Sequence, residues 1–292
     1  MKDHAYEHNV RRLRFVLGLT AIYMLAEAIG GWWTNSLALL ADAGHMLTDV
    51  AGLGLALLAA WMADRTAPPE KTYGYYRFEI LAAFINAVAL VVISLVILYE
   101  AYQRFNSPPP VRGPEMMAIA TGGLVVNLIG LWLLSSPWHH NLNIRGAFLH
   151  ILGDALGSLG AMAAGLAIWR WDWRTADPLF SVVTALLIIY CGWRLIRDSV
   201  NVLLEATPAH IDIEAVKQSM QQIAGVLDIH DLHIWTITPG KEALSAHIIL
   251  DEKASHKTTL EALQGKLREE FGIAHATLQL ETPDFREEEI HF

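Results

Sequence analysis

Residues 39–61, LLADAGHMLTDVAGLGLALLAAW, are apolar enough to cross a bilayer as one helix, yet they carry ionisable side chains near their start. These side chains are Asp42, His45 and Asp49. On insertion scales, a charged group at the centre of a membrane helix costs about 2.5 to 3.5 kcal/mol. Ionisable residues in such a segment therefore indicate a function, because lipid offers them no compensating partner.

His45 and Asp49 are four residues apart, so on a helix they share one face and lie about 6 Å apart along its axis. The same pair recurs in a later apolar stretch as His150 and Asp154. Two helices that each present an imidazole and a carboxylate can together supply four nitrogen and oxygen ligands to a tetrahedral Zn²⁺ ion. Small residues around the pairs would let these helices approach closely; they are Gly44, Ala51, Gly52, Gly153, Ala155 and Gly157.

Other uses of these side chains compete with a metal site. A single His or Asp in a span can bridge neighbouring helices, but bridging does not account for two matched pairs. Haem takes two histidines as axial ligands and leaves the carboxylates without a role. A zinc protease would need an H-E-x-x-H motif, which the sequence lacks. The pattern favours a membrane protein that binds a metal ion and is not an enzyme. The alternatives are a protein that binds haem and one that binds a metal ion without moving it across the membrane.

The composition agrees with a membrane protein. Of 292 residues, 53% are hydrophobic and 17% charged, and the mean hydropathy is +0.33. That is too apolar for an ordinary soluble domain. Six apolar segments reach the length that a bilayer requires; they are residues 13–33, 37–61, 78–102, 116–135, 147–169 and 178–195. We therefore predict a membrane α-helical bundle of six transmembrane helices in residues 1–206.

Lysine and arginine are unevenly distributed between the two sides of this bundle. The side that holds both termini has Lys2, Arg11, Arg12, Arg14, Arg65, Lys71, Arg77, Arg145, Arg194 and Arg197. The opposite side has Arg104, Arg112, Arg170 and Arg174. Because loops rich in lysine and arginine stay in the cytoplasm, both termini are predicted to be cytoplasmic.

After Pro208 the composition becomes that of a soluble domain. Helical patterns over residues 213–223 and 256–270 alternate with β-rich runs over 229–238, 244–250 and 276–280. The order α-β-β-α-β predicts a C-terminal cytoplasmic α+β domain of ferredoxin-like type in residues 207–292. From Glu205 onward the chain has 16 acidic and 7 basic residues, which argues against nucleic acid as a partner.

Five stretches carry a family resemblance: SLALLADAGHMLTD (36–49), YGYYRFEILAAFINA (73–87), HILGDALGS (150–158), HDLHIW (230–235) and HATLQLE (275–281). With them the chain resembles the cation diffusion facilitators, proton-coupled divalent-metal transporters, of the zinc-exporting bacterial kind. The resemblance implies a homodimer that crosses the lipid bilayer of the bacterial inner membrane and exchanges cytoplasmic Zn²⁺ for H⁺. A His-Asp/His-Asp quartet goes with zinc preference in the family. The alternative is a transporter of broader range that takes Cd²⁺, Co²⁺, Ni²⁺ or Mn²⁺.

The same resemblance implies zinc ligands in the cytoplasmic domain. Family metal sites there use positions that match His230, His247 and His256, and a ligand on the last strand corresponds to Glu281. On a regular strand, His230 and His233 would point to opposite faces and would not share an ion. Scattered surface histidines are the alternative.

Further polar residues lie in or beside the predicted spans. Asp42 either lines the route to the metal site or bridges helices, and the role of Glu27 is open. Glu79 is expected to pair locally with Arg77. By family resemblance, Arg77 and Glu205 form an ion pair that joins the membrane and cytoplasmic domains.

Overall fold

A computed structural model describes residues 2–63, 68–135 and 142–285. Within the helices, some side chains lie outside this description: those of residues 2–17, 49, 53, 55–57, 59–60, 63, 134–135 and 142–150. The described residues fall into two compact units, one within residues 1–55 and 85–196 and the other within residues 56–84 and 197–292.

Six long helices occupy the apolar part of the chain. They are α1 (Lys2–Thr34), α2 (Leu37–Ala63), α3 (Arg77–Asn106), α4 (Gly113–Ser135), α5 (Leu142–Trp171) and α6 (Ala176–Leu203). Each of the six apolar segments predicted from sequence falls within one of these helices. Among the described residues, four stretches are long and apolar enough to cross a membrane: Arg77–Asn106, Gly113–Leu133, Ile151–Trp171 and Ala176–Leu203. The structure is therefore that of a multi-pass membrane protein, and a total of six spans stays a prediction.

Small residues hold α4 and α5 close together in the first unit. A methyl group added at Gly165 of α5 would lie 3.0 Å from the carbonyl oxygen of Gly113 in α4. The buried alanines Ala161 and Ala164 of α5 pack beside Ala120 of α4. Such packing suits helices in lipid, where close backbone approach replaces the hydrophobic effect as the source of association.

A buried carboxylate anchors the start of α2. Oδ1 of Asp177, in the first turn of α6, accepts a hydrogen bond from the Ser36 hydroxyl at 2.6 Å. The two Asp177 oxygens also accept from the first backbone N–H groups of α2, at Leu37 (2.8 Å) and Ala38 (3.1 Å). Nη1 of Arg104 lies 3.6 Å from the same carboxylate. Backbone N–H groups in the first turn of a helix have no partner within the helix. In α2 two of these groups bond to Asp177, at the end of the helix that precedes His45.

The second unit contains a three-stranded sheet with two helices. Its elements are α7 (Ile213–Gln221), β1 (Val226–Thr238), β2 (Lys241–Leu250), α8 (His256–Phe271) and β3 (His275–Glu281). β1 and β2 pair antiparallel, β2 and β3 pair parallel, and β2 is central. Val216 and Met220 of α7 and Leu263 of α8 are buried in one core with residues of the sheet. The predicted order α-β-β-α-β is confirmed, while the ferredoxin-like assignment stays a prediction.

The start of α3 contacts the C-terminal part of the same unit. Nη2 of Arg77 lies 2.5 Å from Oε1 of Glu205, so the expected ion pair is present. The hydroxyl of Thr238 donates to Oε2 of Glu79 at 2.7 Å. The expected local pair between Glu79 and Arg77 is thus replaced by two longer-range contacts. The ammonium of Lys241 adds a third contact, 3.7 Å from the ring centroid of Tyr76.

Replacing Asp177 by alanine should destabilise the membrane unit. The change leaves the N–H groups at the start of α2 and the Arg104 guanidinium without their buried acceptor, and breaking a buried pair in this way costs about 3–5 kcal/mol. We expect a lower midpoint of thermal unfolding in detergent. Arg174→Ala is the matched control, because it breaks only the exposed Asp172–Arg174 pair, which contributes little. Equal midpoints for the two variants would contradict the anchoring role of Asp177.

Candidate metal centres

The membrane unit brings one predicted ligand from α2 close to one from α5. Nε2 of His45 lies 3.6 Å from Oδ1 of Asp154, and the Asp154 side chain is 4% exposed. A tetrahedral zinc ion with bonds of about 2.0 to 2.2 Å keeps neighbouring ligand atoms roughly 3.3 to 3.6 Å apart. The His45–Asp154 separation therefore fits two ligands of one ion.

The other two members of the predicted quartet lie on the same helices. Asp49 follows His45 by one turn of α2, and His150 precedes Asp154 by one turn of α5. Their side chains lie outside the described residues. The full quartet of His45, Asp49, His150 and Asp154 thus stays a prediction.

Of three glycines near these pairs, one faces the expected helix and two face a different one. A methyl group at Gly157 of α5 would lie 3.4 Å from Oδ1 of Asp42, so this glycine does lie against α2. A methyl at Gly44 would lie 3.2 Å from Cγ2 of Ile93, and one at Gly52 would lie 2.8 Å from Nδ2 of Asn86. The last two glycines therefore make room for side chains of α3 and not of α5. The spacing of residues along α2 could not predict this, because it does not specify which helix packs on each face.

Three predicted ligands of the C-terminal domain come together across the sheet. His230 of β1 pairs directly with His247 of β2, and Glu281 ends β3 on the other side of β2. Nε2 of His230 lies 3.0 Å from Oε2 of Glu281, and Nδ1 of His247 lies 2.8 Å from Oε1. One ligand atom from each residue lies within 4.8 Å of the other two. Two imidazoles and a carboxylate form a donor set that suits Zn²⁺, and shifts of a few tenths of an ångström would admit the ion.

His256, the fourth residue expected there, is placed differently. It opens α8 directly after the N-cap Ser255 and is exposed. Within the part of the chain that the structure describes, the set of clustered ligand atoms contains His230, His247 and Glu281 and does not include His256.

A β-bulge in β1 brings Asp231 and His233 to the side of the sheet that carries His247. The regular alternation of side chains along a strand did not predict this. The pairing register shifts between His230 and His233, and Asp231 has a left-handed φ of 48°. His230 pairs with His247 and His233 with Ser245, so the bulge puts both β1 histidines on one face instead of opposite faces. Asp231 Oδ1 lies 2.9 Å from Nε2 of His233, and its Oδ2 lies 3.8 Å from Nε2 of His247. The sequence feature that could have indicated the bulge is the Asp directly after His230, since Asp tolerates left-handed backbone better than most residues.

Two family models match the chain. The cation efflux transmembrane domain matches residues 13–204, and the cytoplasmic domain of cation efflux proteins matches residues 208–283. The chain belongs to the cation efflux family. The resemblance to the cation diffusion facilitators is thereby confirmed, and the expectation that the chain is not an enzyme is also met, because this is a family of transporters.

Individual relatives are similar over almost the whole chain. The cadmium, cobalt and zinc/H⁺-K⁺ antiporter of Bacillus subtilis is 45% identical over 286 residues, which cover 95% of this chain and 92% of the relative. The zinc transporter ZitB of Escherichia coli is 45% identical over 281 residues, which cover 94% and 88%. A solved structure, the metal-bound C-terminal domain of the CzcD transporter of Cupriavidus metallidurans, is 35% identical and covers 24% of this chain and 99% of its own, with a TM-score of 0.24.

The cluster of His230, His247 and Glu281 predicts that replacing His247 and replacing His256 affect zinc binding differently. We expect His247→Ala to lower the zinc bound per protomer by one ion, because it removes a central ligand, and His256→Ala to leave it unchanged. Zinc bound to the full-length chain would be measured by equilibrium dialysis in an Asp154→Ala background, so that the membrane site does not contribute. An equal loss in both variants would show that His256 also binds the ion.

Proposed function

We propose that the chain is a proton-coupled Zn²⁺ efflux transporter that exchanges cytoplasmic Zn²⁺ for H⁺. The observation that carries the proposal is the separation of 3.6 Å between Nε2 of His45 and Oδ1 of Asp154, on two helices of a cation efflux transmembrane domain. Asp49 and His150 are the remaining ligands of the proposed tetrahedral site. The names of the relatives support zinc as the cargo and protons as the counter-ion.

The chemistry of this ligand set couples zinc to protons. Zn²⁺ binds neutral imidazoles and ionised carboxylates, so Zn²⁺ and H⁺ compete for the same groups. Moving Zn²⁺ outward against an interior-negative potential costs about 4.6 kcal/mol per 100 mV, because each charge contributes roughly 2.3 kcal/mol. A returning proton offsets half of that electrical cost, and each favourable pH unit adds about 1.4 kcal/mol per proton. Export by exchange for protons is therefore energetically reasonable, and two returning protons would offset the electrical cost in full, since each contributes roughly 2.3 kcal/mol per 100 mV.

The finer architecture belongs to the same proposal. Residues 1–206 form six spans, and residues 207–292 form a cytoplasmic domain of ferredoxin-like type whose pairing makes a homodimer. The strand order β1-β2-β3 with helices α7 and α8 supports the domain type. The distribution of lysine and arginine supports cytoplasmic termini in a bacterial inner membrane.

The cytoplasmic domain is proposed to bind zinc as a resident ion. His230, His247 and Glu281 would hold it, and their convergence on three adjacent strands supports this assignment. A bound ion would neutralise Glu281, whose side chain is 5% exposed, and would tie the three strands together.

A broader metal range is the second candidate function. It is supported by the Bacillus subtilis relative, whose name includes cadmium and cobalt beside zinc. Family membership leaves no support for the alternatives of haem binding or metal binding without transport.

Replacing Asp154 by alanine should abolish zinc flux, because it removes one ligand of the proposed tetrahedron. In proteoliposomes with an acidic lumen and a neutral exterior, the unaltered chain should take up Zn²⁺ faster than without the gradient and should move protons outward. Zinc flux and lumenal pH would be recorded together. Asp172→Asn, in the exposed loop before α6, is the control and should transport normally, since Asn tolerates the left-handed φ of 49° at this position. Undiminished flux in Asp154→Ala, or flux in the unaltered chain that is indifferent to the gradient, would refute the proposal.

Replacing His45 by aspartate should relax metal selectivity while transport continues. A carboxylate favours harder ions such as Mn²⁺, whereas imidazole suits Zn²⁺. We expect the rates for Mn²⁺ and Cd²⁺ to rise relative to that for Zn²⁺ in competition assays. Unchanged relative rates across the metals would count against His45 as a ligand.

A further inference from the structure

A pocket of about 830 Å³ lies in the second unit. One wall is formed by residues between 68 and 76, which lead into α3. The other is formed by the turn between β1 and β2 and by the residues that lead from α8 into β3. None of His230, His247 and Glu281 lines it, so the pocket is separate from the proposed zinc cluster. Pockets that bind small molecules have volumes of about 300 to 1,000 Å³, so this one is large enough for an organic ligand.

The pocket has a lysine in each wall. Lys71 lies before α3, and Lys241 opens β2. Nζ of Lys71 lies 4.3 Å from the ring centroid of Tyr75, and Nζ of Lys241 lies 3.7 Å from that of Tyr76. Among the described residues, neither ammonium group forms an ion pair with a carboxylate. A cation–π contact orients an ammonium group but leaves its charge in place, so both charges are available to a ligand.

The other polar residues of the lining add donors and little exposed negative charge. Thr72, Tyr73 and Tyr76 carry hydroxyl groups that can donate to a ligand. The acidic residue of the lining is Glu242, whose side chain is 10% exposed, with Oε1 at 3.8 Å from Nε2 of His210. The lysines, by contrast, are exposed. The pocket therefore presents positive charge to a ligand.

Three glycines leave the backbone of the walls uncovered. Gly74, Gly240 and Gly272 line the pocket, and each has a left-handed φ, of 66°, 78° and 72° respectively. A methyl group added at any of them would meet no atom within 4 Å. A ligand can therefore approach the backbone closely at these three points.

The charge of the pocket differs from that of the surrounding domain, which from Glu205 onward has 16 acidic and 7 basic residues. The two lysines repel a free metal ion and attract an anion. A phosphate group suits them, because its oxygens can accept from both ammonium groups and from hydroxyl groups at once, and lysine is a common phosphate ligand. The pocket is larger than an inorganic phosphate ion requires. The ligand that fits is therefore a phosphate ester with an organic part.

The pocket lies beside the start of an apolar helix. Tyr73 and Tyr76 come just before Arg77–Asn106, a stretch long and apolar enough to cross a membrane. Tyrosine is enriched at the interface between membrane and water, where phospholipid headgroups lie. Basic pockets at this level bind anionic headgroups. The position of the pocket therefore favours a phospholipid as the source of the phosphate.

We propose that this pocket binds a phosphate ester through Lys71 and Lys241. The phosphate oxygens accept hydrogen bonds from the two ammonium groups, and the organic part occupies the space beside Gly240. The bound molecule connects the segment before α3 to the start of β2, in addition to the ion pair of Arg77 and Glu205. No zinc ligand takes part, so the inference does not depend on the proposed function.

Binding would be measured by native mass spectrometry of the delipidated full-length chain in detergent. The probes are phosphatidylglycerol, which is anionic, phosphatidylcholine, whose phosphate is balanced by a cationic group, and soluble glycerol 3-phosphate. We expect Lys71→Gln with Lys241→Gln to weaken phosphatidylglycerol binding about fivefold for each lysine and about 25-fold for both. Lys253→Gln with Lys257→Gln removes the same charge from exposed positions outside the pocket and should leave Kd unchanged. Phosphatidylcholine should bind more weakly than phosphatidylglycerol to the unaltered chain.

The arms distinguish the two sources of the phosphate. Weaker binding of phosphatidylglycerol in the pocket variant alone would support the proposal with a lipid as the ligand. The same pattern for glycerol 3-phosphate, with phosphatidylglycerol binding equal in both variants, would support it with a soluble ligand. Equal affinities of the two variants for both probes, or no binding of either probe to the unaltered chain, would overturn the proposal.

A second measurement on the unaltered chain decides the matter if the pocket variant does not fold. Acetylation of lysines by acetic anhydride would be followed by mass spectrometry with and without each probe. A bound phosphate ester should slow the acetylation of Lys71 and Lys241 relative to that of the exposed Lys253. Equal rates at all three lysines with and without the probes would contradict the proposal.

Discussion

The free-energy cost of an unpaired charge in a medium of low dielectric constant governs the membrane half of this protein. Asp177 shows how the fold meets this cost. Asp177 has permanent partners: a hydroxyl, two backbone N–H groups and the Arg104 guanidinium. A carboxylate with these permanent partners holds the start of α6 against the start of α2.

The C-terminal domain meets the same constraint with a sheet instead of a helix pair. Glu281 is nearly buried, and imidazoles from two other strands face its two oxygens. Its neighbours on the bulge, Asp231 and His233, extend an alternation of imidazole and carboxylate across the sheet. A divalent cation at this place would balance acidic charge in a domain whose net charge is strongly negative.

The sequence was sufficient wherever a regular period determined position. The apolar segments gave the long helices, the spacing of four put His45 and Asp49 on one helical face, and the order of elements in the C-terminal domain followed from its patterns. It was insufficient where a long-range contact or an irregular backbone decided the outcome. The bulge at Asp231 breaks strand alternation, and no local pattern reveals that Glu79 bonds Thr238. Likewise, helical periodicity does not say which helix a glycine faces, so Gly44 and Gly52 were assigned to the wrong neighbour.

The contacts at the start of α3 have a consequence for exchanging modules between relatives. Tyr76, Arg77 and Glu79 meet Lys241, Glu205 and Thr238 through a cation–π contact, an ion pair and a hydrogen bond. These partners come from two segments that are distant in sequence, residues 76–79 and 205–241, so a chimera cut after α6 would combine segments that had not been selected for each other. A transplanted cytoplasmic domain should therefore be accompanied by the first turn of α3 and the residues just before it. The residues to transfer together are this set of contacting partners, and not the continuous C-terminal segment alone.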